Sequence, residues 1–133
     1  MLTAYYCPEP RSDRVQRLLA GLSEPAISLL VQVELFCAVA RKVRSGGIEA
    51  AGARRIFALL AMDVVEQRFR LLPLETGEYL QACEWIAQLR TPLRVLDAIH
   101  LALARTHNTC LVTADEDLAR AAHVLGVACR FMA

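Results

Sequence analysis

Apolar residues recur along the chain in two rhythms, and the alternation between them predicts the elements. After a loop framed by Pro8 and Pro10, Val15, Leu18, Leu19 and Leu22 fall at the spacing of one helix face, with Ser12 as the predicted N-cap and Gly21 and Pro25 as the stop. Ala26-Ile27-Ser28 is a short apolar run of the kind buried in a sheet. Ser28 is placed to cap a second helix that turns Val31, Leu35, Ala38 and Val39 inward and runs to about Ser45, where Gly46-Gly47 ends it. A third helix over 48–67 carries Ile56, Leu59, Leu60 and Val64 inward, followed by a strand over 69–74. Thr76 is the predicted cap of a helix to about Leu89; Glu78 lies two residues after it, one short of the capping-box spacing. Thr91-Pro92 breaks the chain before a helix from about Arg94 to Thr106. Cys110-Leu111-Val112-Thr113 reads as a buried strand, Asp115 to Leu125 as a helix, and Val127 to Phe131 as a last strand.

Strands alternating with helices predict an α/β fold, a central and mostly parallel sheet flanked by helices on both faces. Ligands in such sheets collect at the carboxyl ends of the strands. There are no internal repeats, linkers or low-complexity tracts, and 133 residues fit one domain. With 56% hydrophobic residues the chain is far from the composition of disordered proteins.

Charge and cysteine content narrow the partners. The longest uncharged stretch, Pro25 to Val33, is broken by Glu34 and falls short of the roughly twenty apolar residues of a membrane span. The first ten residues lack the basic region and apolar core of a secretory signal, so the expected compartment is the cytoplasm. Five cysteines, Cys7, Cys37, Cys83, Cys110 and Cys129, form no Cys-x-x-Cys pair and are expected to be free, buried thiols. A net charge of +1 gives no global nucleic-acid footprint. Arg11, Arg41, Lys42, Arg44, Arg90 and Arg94 are candidates for phosphate contacts, although most surface arginines are solvated charges.

Three acids fall near the expected ligand edge. Asp115 stands two residues past Thr113, where a strand gives way to a helix, and Glu34 lies early in the helix after Ala26-Ile27-Ser28, so both are expected to face one crevice. Asp97 is set among Val95, Leu96, Ala98, Ile99 and Leu101, an apolar neighbourhood in which an unpaired carboxylate is costly. Helix dipoles or arginine partners explain any one of them; three together weigh more.

At Leu96-Asp97-Ala98-Ile99-His100-Leu101-Ala102 and Leu111-Val112-Thr113-Ala114-Asp115-Glu116-Asp117-Leu118-Ala119 the chain resembles the PIN-domain family, specifically the VapC toxin type. The resemblance extends through Tyr5-Tyr6-Cys7-Pro8-Glu9-Pro10, Ala26-Ile27-Ser28 and Val33-Glu34-Leu35, in the family's order. It implies an α/β/α sandwich nuclease in which acids from separate segments hold Mg²⁺ or Mn²⁺ and cut RNA. Glu34, Asp97 and Asp115 match the pattern's second, third and fourth acids. Asp117, Thr113 and His100 are weaker candidates: a helix-start acid, a strand residue able to hydrogen-bond a carboxylate, and a neighbour on the Asp97 face. The resemblance also implies inhibition by a cognate antitoxin protein and a homodimer.

The resembled pattern opens with a short strand ending in Asp-Thr-Ser, immediately before the residues that match Leu2-Thr3-Ala4-Tyr5-Tyr6. Met1 aligns just after that triplet. The expectation is a PIN-like domain over 1–133 that lacks the family's first strand and first acid, its start placed downstream of the native one. Two alternatives stand beside the nuclease: a degenerate PIN fold that binds RNA or protein without cutting, and an unrelated α/β domain whose acids are ordinary caps and ion pairs.

Overall fold

The computed structural model describes residues 1–133, with α1 (Leu2–Tyr6), α2 (Ser12–Ala20), β1 (Ala26–Ser28), α3 (Leu29–Arg44), α4 (Ala50–Val65), β2 (Arg70–Leu72), α5 (Thr76–Ala87), α6 (Val95–Thr106), β3 (Leu111–Thr113), α7 (Glu116–Val124) and β4 (Cys129–Phe131) in order. Its strands pair in parallel only, as the strand–helix alternation predicts. They form two separate two-stranded ladders, β1 with β2 and β3 with β4. Each strand is three residues long, shorter than the predicted runs over 69–74 and Val127 to Phe131. The chain divides into two compact units, Met1–Pro73 and Leu74–Ala133.

In the first unit Ala26, Ile27 and Ser28 lie opposite Arg70, Leu71 and Leu72. β1 passes directly into α3, and the Ser28 hydroxyl accepts the Val31 N–H at 3.1 Å, the expected cap. α3 and α4 pack through Leu35, Val39, Ala53, Ile56 and Leu60, together with Cys7, Ile27 and Phe69. Val39 and Leu60 are fully buried, the result of apolar residues at three- and four-residue spacing facing each other. Leu59, expected inward, is 49% exposed, because Leu60 and Ile56 already take the core face. At the α3 end Gly46 adopts φ 76°, and Gly46 and Gly47 donate to the carbonyls of Val43 and Lys42 at 3.0 and 2.8 Å. This closing pattern needs a left-handed residue, which glycine supplies without strain.

The second unit packs α5 on α6 and sets Leu111, Val112 and Thr113 opposite Cys129, Arg130 and Phe131. Its core joins Trp85 and Leu101 to Leu118, Val127 and four alanines, Ala102, Ala104, Ala121 and Ala122. Small residues there let backbones approach closely around the one tryptophan. Arg105 lays its guanidinium 5.6 Å from the Trp85 ring centre, closing the core with a cation–π contact.

Several local expectations are displaced. Ser12 is the first residue of α2 rather than its cap; its hydroxyl accepts the Glu9 N–H at 2.8 Å and donates to the Cys7 carbonyl at 3.0 Å, tying the proline loop. The cap of α5 is Glu75, not Thr76, and the one-residue shift restores capping-box spacing, with Glu78 accepting the Glu75 N–H at 2.7 Å. Residues 2–6, given no element by periodicity, form the short helix α1. The cysteines are free as expected, but only Cys7 is buried; Cys37, Cys83 and Cys110 are exposed.

Candidate functional site

In the second unit the candidate acids sit at two helix starts. β3 ends at Thr113 and α7 begins at Glu116, which leaves Asp115 in extended conformation as the N-cap. Its Oδ1 accepts the N–H groups of Asp117 and Leu118 at 2.9 and 3.1 Å. The buried Thr113 hydroxyl accepts the N–H of Asp115 at 3.0 Å, so Thr113 fixes the backbone of Asp115 rather than a carboxylate. One carboxylate oxygen of Asp115 therefore holds the helix and Oδ2 remains outside that cap, on an exposed residue.

Asp97 is the third residue of α6, in the turn where the helix N–H groups favour a negative charge. The structure corrects its expected burial. Its side chain is 26% exposed, with the Arg94 guanidinium 3.8 Å away. The apolar neighbours Ala98, Ile99 and Leu101 turn to the core, while Val95 and Leu96 turn outward with Asp97. The helix start, Arg94 and partial solvation supply the compensation that its sequence context demanded. His100, one turn on, is half-buried. Asp117, the weaker site candidate at the helix start, joins Glu116 in pairing with Arg120, an exposed triad on α7.

Glu34 belongs to the first unit, six residues into α3, half-buried between exposed Val33 and buried Leu35. The same unit holds a carboxylate that sequence reasoning missed. Asp63 is 8% exposed; it accepts the Tyr6 hydroxyl at 2.6 Å and lies 3.4 Å from the Arg68 guanidinium. Burial first, and then the hydrogen bond to Asp63, push the Tyr6 hydroxyl far above its ordinary value, which keeps it a donor. Tyr5 meets Tyr6 and Phe69 edge to face at 4.8 and 6.1 Å. These groups line a cleft of about 1110 Å³ whose apolar wall includes Leu19, Leu22 and Leu59. The available signal was spacing: Asp63 follows Ile56 and Leu60 on the inward face of α4, where an acid demands a partner.

No group of three or more His, Cys, Asp and Glu side chains is gathered for an ion. Asp97 and Asp115 each offer oxygen donors reachable by solvent, the ligand type of a hard cation that keeps several waters and needs one or two direct carboxylates. No helix is long and apolar enough to cross a membrane. Residues 1–124 match the sequence model of the PIN domain. No curated protein matches the chain.

Proposed function

Because the chain belongs to the PIN-domain family, whose members are generally metal-dependent nucleases, we propose that it is a ribonuclease of the VapC toxin type. In this reading Asp97, Asp115 and Glu34 hold Mg²⁺ or Mn²⁺. The observation that carries it is Asp115, a carboxylate locked by two backbone N–H groups through Oδ1, with Oδ2 left outside the cap at the carboxyl end of a parallel strand. Bound there, the cation would neutralise charge on the scissile phosphate and acidify an attacking water.

The chain's residues supply the rest. Thr113 and the start of α7 hold Asp115 in place, so its free oxygen presents a preorganised ligand. Asp97 receives the proton of the attacking water as the new P–O bond forms and the bond to the leaving oxygen breaks, that oxygen taking a proton from solvent. Glu34 is assigned to the same ion on the order of acids in the resembled pattern, with Asp117 and His100 in outer roles. The cleft around Tyr6 and Asp63 suits the apolar side chains of an antitoxin helix. Exposed Leu29, Val33 and Phe36 on α3 support a homodimer, acting in the cytoplasm.

The test is RNA cleavage by protein purified free of any partner, with Mg²⁺, with EDTA, and in Asp97→Asn. Cleavage that persists in EDTA, or an undiminished variant, would reject the metal-dependent mechanism. A second reading, a PIN fold that binds RNA or protein without cutting, is favoured by the cap and ion-pair roles that Asp115 and Asp97 already fill. Metal-independent RNA binding without cleavage would establish it.

A further inference from the structure

Four arginines crowd the turn end of the α3–α4 hairpin. Arg41 and Arg44 lie in the last turn of α3, and Arg54 and Arg55 follow the first turn of α4, all four exposed. Gly46 reverses the chain, and the contacts of Val43, Ile48 and Ala53 with one core hold the two helix ends together. None of the four guanidinium groups meets a carboxylate, whereas Lys42 beside them is paired with Glu9 at 2.9 Å and Arg68 with Asp63 and Glu66. Between Glu34 and Asp63 the only acid in the sequence is Glu49.

Helix electrostatics explain half of this cluster. Arg41 and Arg44 oppose the negative carboxyl end of α3. Arg54 and Arg55 stand toward the positive end of α4, whose first turn carries no acid, so the helix field does not favour them there. Like charges gathered without counter-charges on a folded surface are the footprint of a polyanion.

We propose that this hairpin end is an anchor for the RNA backbone, with Arg41, Arg44, Arg54 and Arg55 taking phosphates, an inference that rests on the ribonuclease reading. Guanidinium groups fit phosphate oxygens in pairs and carry no base preference, so the anchor adds affinity and register without sequence specificity. Arg44 lies ten residues along α3 from Glu34, about 15 Å at 1.5 Å per residue. A base-stacked strand that reaches both spans roughly four or five nucleotides, at the about 3.4 Å rise per nucleotide of a stacked strand. The anchor therefore selects longer RNA over di- or trinucleotides.

The test measures binding without cleavage, by fluorescence anisotropy of labelled single-stranded RNA in EDTA with the full chain carrying Asp97→Asn. Oligonucleotides of 3 and 20 residues are compared across a salt series. Replacing Arg41, Arg44, Arg54 and Arg55 by Gln should weaken binding of the long RNA at least tenfold. It should also flatten the salt dependence by about four charges' worth, roughly 2.8 in slope at about 0.7 per neutralised phosphate, and affect the short RNA far less. Replacing Arg17, Arg70 and Arg130, all exposed, by Gln removes three positive charges outside the hairpin end and should do neither. An unchanged salt slope, an equal loss in that control, or equal affinity for polyglutamate would overturn the anchor. Failure of the nuclease reading shows separately, as absent cleavage by the wild-type chain with Mg²⁺.

Discussion

In the proposed ribonuclease Asp115 combines two duties, helix cap and metal ligand, that substitution can separate. Asn is as good an N-cap as Asp, since its side-chain oxygen accepts the same N–H groups. Asp115→Asn is therefore expected to melt with the wild-type chain while RNA cleavage falls about a hundredfold or more through the lost charge. Asp115→Ala loses the cap as well, at about 1 kcal/mol, visible as a lower thermal midpoint. Equal activity of the Asn variant would remove Asp115 from the chemistry. Glu78 is a purely structural acid. Burial alone would push its carboxyl up, but the N–H groups of Glu75 and Glu78, the Thr106 hydroxyl and His107 together hold it below its ordinary value of about 4.5. A folded-state value below the unfolded one means stability that is complete above pH about 4.5 and is lost as pH falls through the folded value. Glu78→Gln should thus melt several degrees lower at pH 7, losing about 1 kcal/mol. The gap should narrow on acidification below pH 4.5; a gap independent of pH would assign it to shape alone.

Helix ends set the element-scale behaviour. Gly46 and Gly126 close α3 and α7 in the left-handed conformation, but Gln67, Leu89 and Asn108 occupy the same region after α4, α5 and α6. Leu89, at φ 55° and 87% exposed, carries strain with little packing in return. Leu89→Gly should raise the midpoint by several degrees, the strain of about 1–2 kcal/mol exceeding the extra chain entropy of glycine; a lower midpoint would mean that Leu89 packs in solution. On α3, Leu29, Val33 and Phe36 form an exposed apolar stripe, with Phe36 stacked on Phe57 at 4.2 Å. If the homodimer uses this stripe, Val33→Asp shifts sedimentation to the monomer with the helical signal intact. A dimer that survives the charge places the interface elsewhere.

At the scale of the whole molecule, the proposed activity draws on oxygen ligands contributed by residues far apart in sequence. Glu34→Gln should depress cleavage, and excess Mg²⁺ should recover part of it, because losing one of three ligands weakens metal affinity more than chemistry. No response to metal concentration would separate Glu34 from the ion. The helix and strand segments were readable because their cause is local: apolar spacing, Ser28 beside Val31, and Gly46-Gly47 at a helix end all act within about one turn of helix. Candidate acids were likewise visible as acids in improbable places, and the same rule would have flagged Asp63. Their surroundings were not, since exposure of Asp97 follows from how α6 is turned against its core.

By itself the sequence determined the order of elements from α2 onward, their parallel pairing, most helix ends and membership of the PIN family, because each depends on residues near one another or on an ordered pattern. Tertiary structure alone decided that Tyr6 reaches Asp63 across 57 residues, that Thr113 serves the Asp115 backbone, and that unpaired arginines meet at the α3–α4 turn. Those outcomes depend on which side chains meet when distant segments pack, and burial makes an unmet charge or hydrogen bond costly enough to fix its partner.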